Sequence, residues 1–163
     1  MDVTIGPTAA KFATAFGKLA VALLFLEHAL RLYLGGRSGI HQVGARGVAE
    51  LKVGDLVPEN SFTDARPYDD LLIRYNQGVR ADHPDWVLDP TLGSLHDVVS
   101  TGRMSPLLSP HMPFVLLKFG PGSNGKVEVT VAQSLSEEWL EKQFSHVMGE
   151  IRKVESALRG RVK

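Results

Sequence analysis

Apolar residues recur at alternating spacings of four and three along two long stretches of the chain. In the first, Phe12, Phe16, Leu19, Leu23, Leu26, Leu30 and Tyr33 fall on one stripe, which predicts a helix over residues 8–34. Ala20, Leu24 and Phe25 widen that stripe, leaving Lys11, Lys18, Glu27 and Arg31 to face solvent. Gly35 and Gly36 follow, and glycine readily takes the left-handed conformation in which helices end. In the second stretch, Leu140, Phe144, Val147, Ile151, Val154 and Leu158 predict the last helix. Ser134 or Ser136 caps it, with Glu137 and Glu138 near the positive end of its dipole. Arg152, Lys153, Arg159, Arg161 and Lys163 crowd the opposite end, which cations complement.

Shorter patterns fill the interval. Leu71, Leu72 and Tyr75 predict a second helix over residues 68–78. Asp89 is placed as an N-cap with Pro90 at the first helical position, opening a third helix through Leu92, Leu95, Val98 and Val99 that Gly102 and Pro106 stop. The period then changes to two. Residues 114–119 and 126–131, joined by Gly-Pro-Gly-Ser-Asn-Gly, predict a hairpin. Val127, Val129 and Val131 are expected to lie on the helices, with Lys126, Glu128 and Thr130 in water. Residues 35–67 carry six glycines and little periodicity, and read as a functional loop or as a loop hiding a short helix near 49–53. The fold class is therefore mainly α: a bundle of about four helices with a β-hairpin inserted before the last, as a single domain over residues 1–163.

Composition narrows the possible functions. The chain has 163 residues, 44% hydrophobic and 22% charged, which suits one globular domain. Lys plus Arg and Asp plus Glu each total 18, so no global field draws the chain to nucleic acid or an anionic membrane. Cysteine is absent, which removes disulfides and thiolate metal sites and makes the cytoplasm the expected location. The longest unbroken apolar run, Leu19–Leu26, is eight residues, short of the roughly 20 that span a bilayer. Glu27, His28 and Arg31 continue it in helical phase with no small-residue cleavage site, so a signal peptide is not expected.

Few residues carry recognisable chemistry. The six histidines show neither His-x-x-x-His nor Glu-x-x-His spacing, so no metal or other cofactor is expected. Gly35-Gly-Arg-Ser-Gly39 lacks the Gly-Lys-Ser/Thr ending and the preceding strand of a phosphate loop. Ser94-Leu-His-Asp97 has triad residue types without a nucleophile elbow. His96, beside Leu92, Leu95 and Val99, reads first as a hydrogen-bonded structural histidine, and Asp97 with Arg103 as an intrahelical or capping pair.

The order of these features, with Leu26-Glu-His-Ala-Leu-Arg-Leu-Tyr-Leu34 closing the first helix and Leu95-His-Asp-Val-Val-Ser-Thr-Gly-Arg-Met-Ser105 closing the third, resembles the HEPN superfamily of helical nucleotide-binding and RNA-cleaving domains. Members commonly carry Arg-Asp or Arg-Asn, a few small apolar residues, then His-Gly. Asp97 and Gly102 match; His96 stands at the family's arginine and Thr101 at its histidine. The resemblance covers about residues 10–110 and the last helix. It implies a prokaryotic, RNA-related ancestry, a homodimer built through the long helices, and a role in a defence, toxin–antitoxin or regulatory system. A threonine hydroxyl cannot act as the general base that imidazole supplies, and histidine is not a permanent bidentate cation. Arg103 and His111 follow, but Gly102, Pro106 and Pro110 separate them from the helix. The expected function is thus a non-catalytic binding domain acting on a protein partner or RNA. The alternatives are a metal-independent ribonuclease using His96, Asp97, Thr101 and Arg103, and a small-ligand protein with its pocket beneath the 35–67 loop.

Overall fold

The computed structural model describes residues 7–35, 52–57, 65–109 and 112–160. Its elements run α1 (Pro7–Gly35), α2 (Tyr68–Val79), a single 3-10 turn (Pro84–Trp86), α3 (Leu92–Thr101), β1 (Arg103–Ser109), β2 (Met112–Pro121), β3 (Val127–Leu135) and α4 (Glu137–Gly160). The protein is mainly α, with a three-stranded antiparallel sheet before the last helix. The hairpin expected there is β2 and β3. The third strand, β1, occupies the segment where only a helix stop was expected.

The Cα packing divides the chain into two compact units, Met1–Leu23 with Thr91–Met148, and Leu24–Pro90 with Gly149–Lys163. The first holds the sheet, in the order β1-β2-β3. Phe12, Ala15, Leu19, Leu92, Leu116, Leu135, Leu140 and Val147 form its core. The Phe12 and Phe114 rings lie 4.3 Å apart, so this part of α1 rests on the face of β2 that also carries Leu116. Ser136 Oγ accepts the Trp139 N–H at 3.1 Å, which makes Ser136 the cap of α4. The β2–β3 turn has positive φ at Asn124 (54°) and Gly125 (73°) and is closed by Lys126 N–H to Ser123 C=O at 3.0 Å. This primed geometry matches the twist of the strands it joins.

Sheet register corrects one expectation. Lys118 faces Val131, yet the next residue, Phe119, faces Val129, leaving Thr130 as an extra residue on β3. A bulge of this kind reverses the alternation of faces. Val131 is half-buried on the helix side, while Val129 and Val127 turn to the other face with Phe119. Val127 is 68% exposed and Val129 52%, so the tip of the hairpin does not lie on the helices.

In the second unit, Leu26, Leu30 and Tyr33 of α1 meet Leu71, Leu72, Tyr75 and Val79 of α2 and Ile151, Val154 and Ala157 of α4 in a buried core. Tyr33 and Tyr75 pack edge to face at 4.7 Å. The stripe predicted for α1 is thus its buried side, but Leu24 (61%) and Phe25 (62%), expected to widen it, stand exposed. Arg31, expected in solvent, has only 12% of its side chain exposed. It donates to Glu27 Oε1 at 2.9 Å and to the Arg66 carbonyl at 3.1 Å. Of the short helix expected near 49–53, residues 49–51 lie outside the described residues. Lys52–Asp55 form a turn closed by Asp55 N–H to Lys52 C=O at 3.1 Å, with Gly54 at a φ of 96°. By length and composition, Ala10–Gly35 is the one helix among the described residues long and apolar enough to cross a membrane, a property shared by helices that line a core. Counting unbroken apolar residues hid this, because the single charges Lys18 and Glu27 interrupt the run while the helix as a whole stays apolar on average.

Candidate functional site

Asp89 and Pro90 do not open α3. The helix begins at Leu92, with Thr91 before it and no side-chain bond capping it, while the Asp89 backbone N–H donates to Glu150 Oε2 at 2.8 Å. The later start leaves α3 only ten residues, Leu92–Thr101. Of the four sequence candidates, His96 and Asp97 lie midway along it, Thr101 is its last residue and Arg103 opens β1.

Ser100 and Thr101 turn their hydroxyls back onto carbonyls of the preceding turn. Ser100 Oγ donates to the His96 carbonyl at 2.7 Å. Thr101 Oγ1 donates to the Asp97 carbonyl at 2.7 Å, with Asp97 Oδ1 a second acceptor at 3.2 Å. Such back-bonding to the carbonyl four residues earlier is common for helical hydroxyls. The other carboxylate oxygen, Oδ2, receives Lys118 Nζ from β2. The Lys118 ammonium, aided by the Thr101 hydroxyl and the nearby His96, holds the Asp97 carboxyl below the usual carboxylate range, against a smaller opposing push from desolvation.

Three of the four candidates, His96, Asp97 and Thr101, thus come together with Lys118. Arg103 does not join them. Its guanidinium carbon stands 5.7 Å from the centre of the Phe119 ring, a cation–π contact on the other face of the sheet. The expected Asp97–Arg103 pair is therefore replaced by Asp97–Lys118. Sequence reasoning missed Lys118 because it lies 21 residues from Asp97, and only the antiparallel return of the chain brings the two into contact. The single available signal was a lone cation in an otherwise apolar strand, Phe114-Val-Leu-Leu-Lys-Phe119.

Chemically, this cluster neutralises itself. The base within hydrogen-bond reach of the Thr101 hydroxyl is the Asp97 carboxylate itself, at 3.2 Å, while that hydroxyl also donates to the Asp97 carbonyl of its own helix. Lys118 pairs with the same carboxylate and holds its carboxyl below the usual range, which makes it a weaker base for activating a nucleophile.

A second polar cluster, in the other unit, is deeper. Glu150 on α4 is 5% exposed; its Oε1 lies 2.7 Å from Lys153 Nζ, while Oε2 takes the Asp89 N–H. Lys153 also donates to the Val87 carbonyl at 3.1 Å. Asn76 grips Leu88 from both sides, donating to its carbonyl at 3.0 Å and accepting its N–H at 2.8 Å. These bonds pin residues 87–89 to α2 and α4. Tyr68 beside them has its phenol raised above the usual range, chiefly by burial and then by Glu27, Asp69 and Glu150. Trp86, stacked on His83 at 3.8 Å, lies against Gly160. The arrangement fastens the loop at residues 87–89.

A shallow groove of about 210 Å³ in the first unit is lined by Lys11, Thr14, Ala15, Lys18, Glu137 and Glu141, with Lys18 and Glu141 paired at 3.6 Å. It includes none of the sequence candidates and is smaller than the roughly 300–1,000 Å³ of ordinary ligand pockets. Among the described residues, no group of three or more His, Asp or Glu side chains could hold a metal ion. The pocket expected beneath the 35–67 loop concerns residues that lie mostly outside the described ones. Set beside known proteins, the chain matches no family model, no curated protein and no solved structure.

Proposed function

We propose that the protein is a non-catalytic binding domain of HEPN-like descent, homodimeric and cytoplasmic, that engages a protein or RNA partner in a defence, toxin–antitoxin or regulatory setting. The observation that carries this reading is the state of the Asp97–Thr101 pair. At the place where the resembling family keeps a histidine, Thr101 spends its hydroxyl on α3 itself, and Lys118 occupies the neighbouring carboxylate. A hydroxyl so held neither takes a proton from a ribose nor delivers one to a leaving oxygen. Zero net charge and the self-neutralised cluster add to the argument, since neither concentrates a polyanion near these residues.

The test is incubation of the chain with single-stranded and structured RNA in the absence of metal. The reading expects no cleavage above the buffer rate, from the wild type or from His96→Ala. Cleavage by the wild type that His96→Ala abolishes would overturn it in favour of a ribonuclease with an altered site.

A further inference from the structure

The two edges of the sheet are unequally protected. β1 carries Pro106 and a register irregularity between Pro106 and Ser109, devices that stop further strands from adding. β3 is nine residues long and contains no proline, and among the described residues no strand pairs with its outer edge. Ahead of the bulge, its run Val127-Glu-Val129 is exposed, carries two β-branched valines and is preceded by Lys126. A bulge and exposed charges protect edges too, so what sets β3 apart is that Val127–Val129 lie before its bulge, without proline and with charges of both signs.

We propose that this end of β3 pairs antiparallel with the same strand of a second copy of the chain, around a two-fold axis at Val127. Charge selects both the occupant and the register. With the axis at Val127, each Lys126 stands opposite the other copy's Glu128, giving two attractive cross-strand pairs flanking a Val127–Val127 contact. With the axis at Glu128, the two carboxylates would face each other, which cross-strand pairing disfavours. Lys126 and Glu128 are both exposed, and among the described residues neither is engaged elsewhere in the chain. The same pairing sets Val127, Val129 and Phe119 of the two copies side by side on one face. The overlap is short, and the association it supports is correspondingly weak. The pairing is a contact separate from the helix-mediated homodimer that the resemblance implies, and it does not rest on the absence of catalysis. RNA cleavage would overturn the latter and leave the pairing untouched.

Charge reversal tests it, read by sedimentation equilibrium at protein concentrations up to about 1 mM, as small interfaces demand. Lys126→Glu and Glu128→Lys each turn two attractive pairs repulsive, and each is expected to weaken self-association at least about tenfold. The double variant restores complementarity and should associate like the wild type. An equimolar mixture of the two single variants should associate as well, because one then supplies both acids and the other both bases. Circular dichroism melts check that folding is unchanged, as expected for exposed positions. A wild-type chain that stays monomeric throughout overturns the second copy as occupant and leaves the edge to a strand of another protein. Association indifferent to the single reversals, or not regained on mixing them, overturns the register and the proposal with it.

Discussion

Gly102 ends α3 at a φ of −65°, a backbone any residue could adopt. What excludes a side chain there is space. A Cβ would collide with Leu116 Cδ2 and with the Val98 carbonyl, and Leu116 is almost fully buried. The glycine that suggested a catalytic motif is thus accounted for by the close passage of β2. Gly102→Ala is expected to destabilise the fold by about 1–3 kcal/mol, as overpacking of a filled core does. A urea midpoint equal to that of the wild type would remove this explanation. Asp97 beside it offers a different test. Its carboxyl titrates lower in the folded chain than in the unfolded one, so the stabilisation it provides is present above the unfolded value and fades as pH falls through the folded one. Lys118→Met should therefore cost roughly 0.5 kcal/mol near neutrality, a modest figure because the aspartate is half exposed. The difference between variant and wild type should vanish in acid. Melting curves taken across the acid range would show it, and a difference that persists below the carboxylate range would contradict the pairing.

Among the elements, strength of period decided what could be read. α1 and α4 carry apolar residues every three or four positions, and the structure buries most of them, with Phe16 and Phe144 only half-buried and Ala157 taking the place foreseen for Leu158. The β2–β3 hairpin was marked by its Gly-rich connection. β1 was illegible because Arg103-Met-Ser-Pro-Leu-Leu-Ser109 shows no alternation and contains a proline, which fits only an edge strand. The face assignment of β3 failed because a bulge inserts one residue, and no local pattern in Val-Glu-Val-Thr-Val announces it. The loop at 87–89 was equally opaque, since its fasteners Asn76, Glu150 and Lys153 come from other helices. Two substitutions test these element-level readings by denaturant titration. Ser136→Ala removes the cap of α4 and should cost about 1 kcal/mol. Glu150→Ala leaves the Asp89 N–H without its acceptor and should cost about 2–3 kcal/mol, the larger because the carboxylate is buried and hydrogen-bonded. Equal losses from the two would mean that the 87–89 latch contributes little.

Over the whole molecule, charge balance limits what kind of binding the protein can perform. Eighteen basic and eighteen acidic side chains leave no net charge, and some of the described cations have acidic partners: Arg31 with Glu27, Arg74 with Asp70, Lys118 with Asp97, Lys153 with Glu150. A protein that grips nucleic acid through phosphates releases one set of counterions per contact, so its affinity falls steeply with salt, with a logarithmic slope of about −0.7 per phosphate on single strands. Zero net charge supplies no long-range attraction to strengthen such contacts. Fluorescence anisotropy with a labelled single-stranded RNA, titrated from about 50 to 200 mM salt, should give weak binding and a slope shallower than about −2. A slope several-fold steeper would reveal a continuous basic track on the folded chain and shift the partner from protein to RNA. A shallow slope with tight binding would point instead to stacking or shape recognition, which needs exposed aromatic surface rather than charge. The exposed aromatic side chains Phe25 and Phe119 are then the residues to replace first, and Phe119→Ala should lower affinity only if bases stack on the sheet face that it shares with Val129.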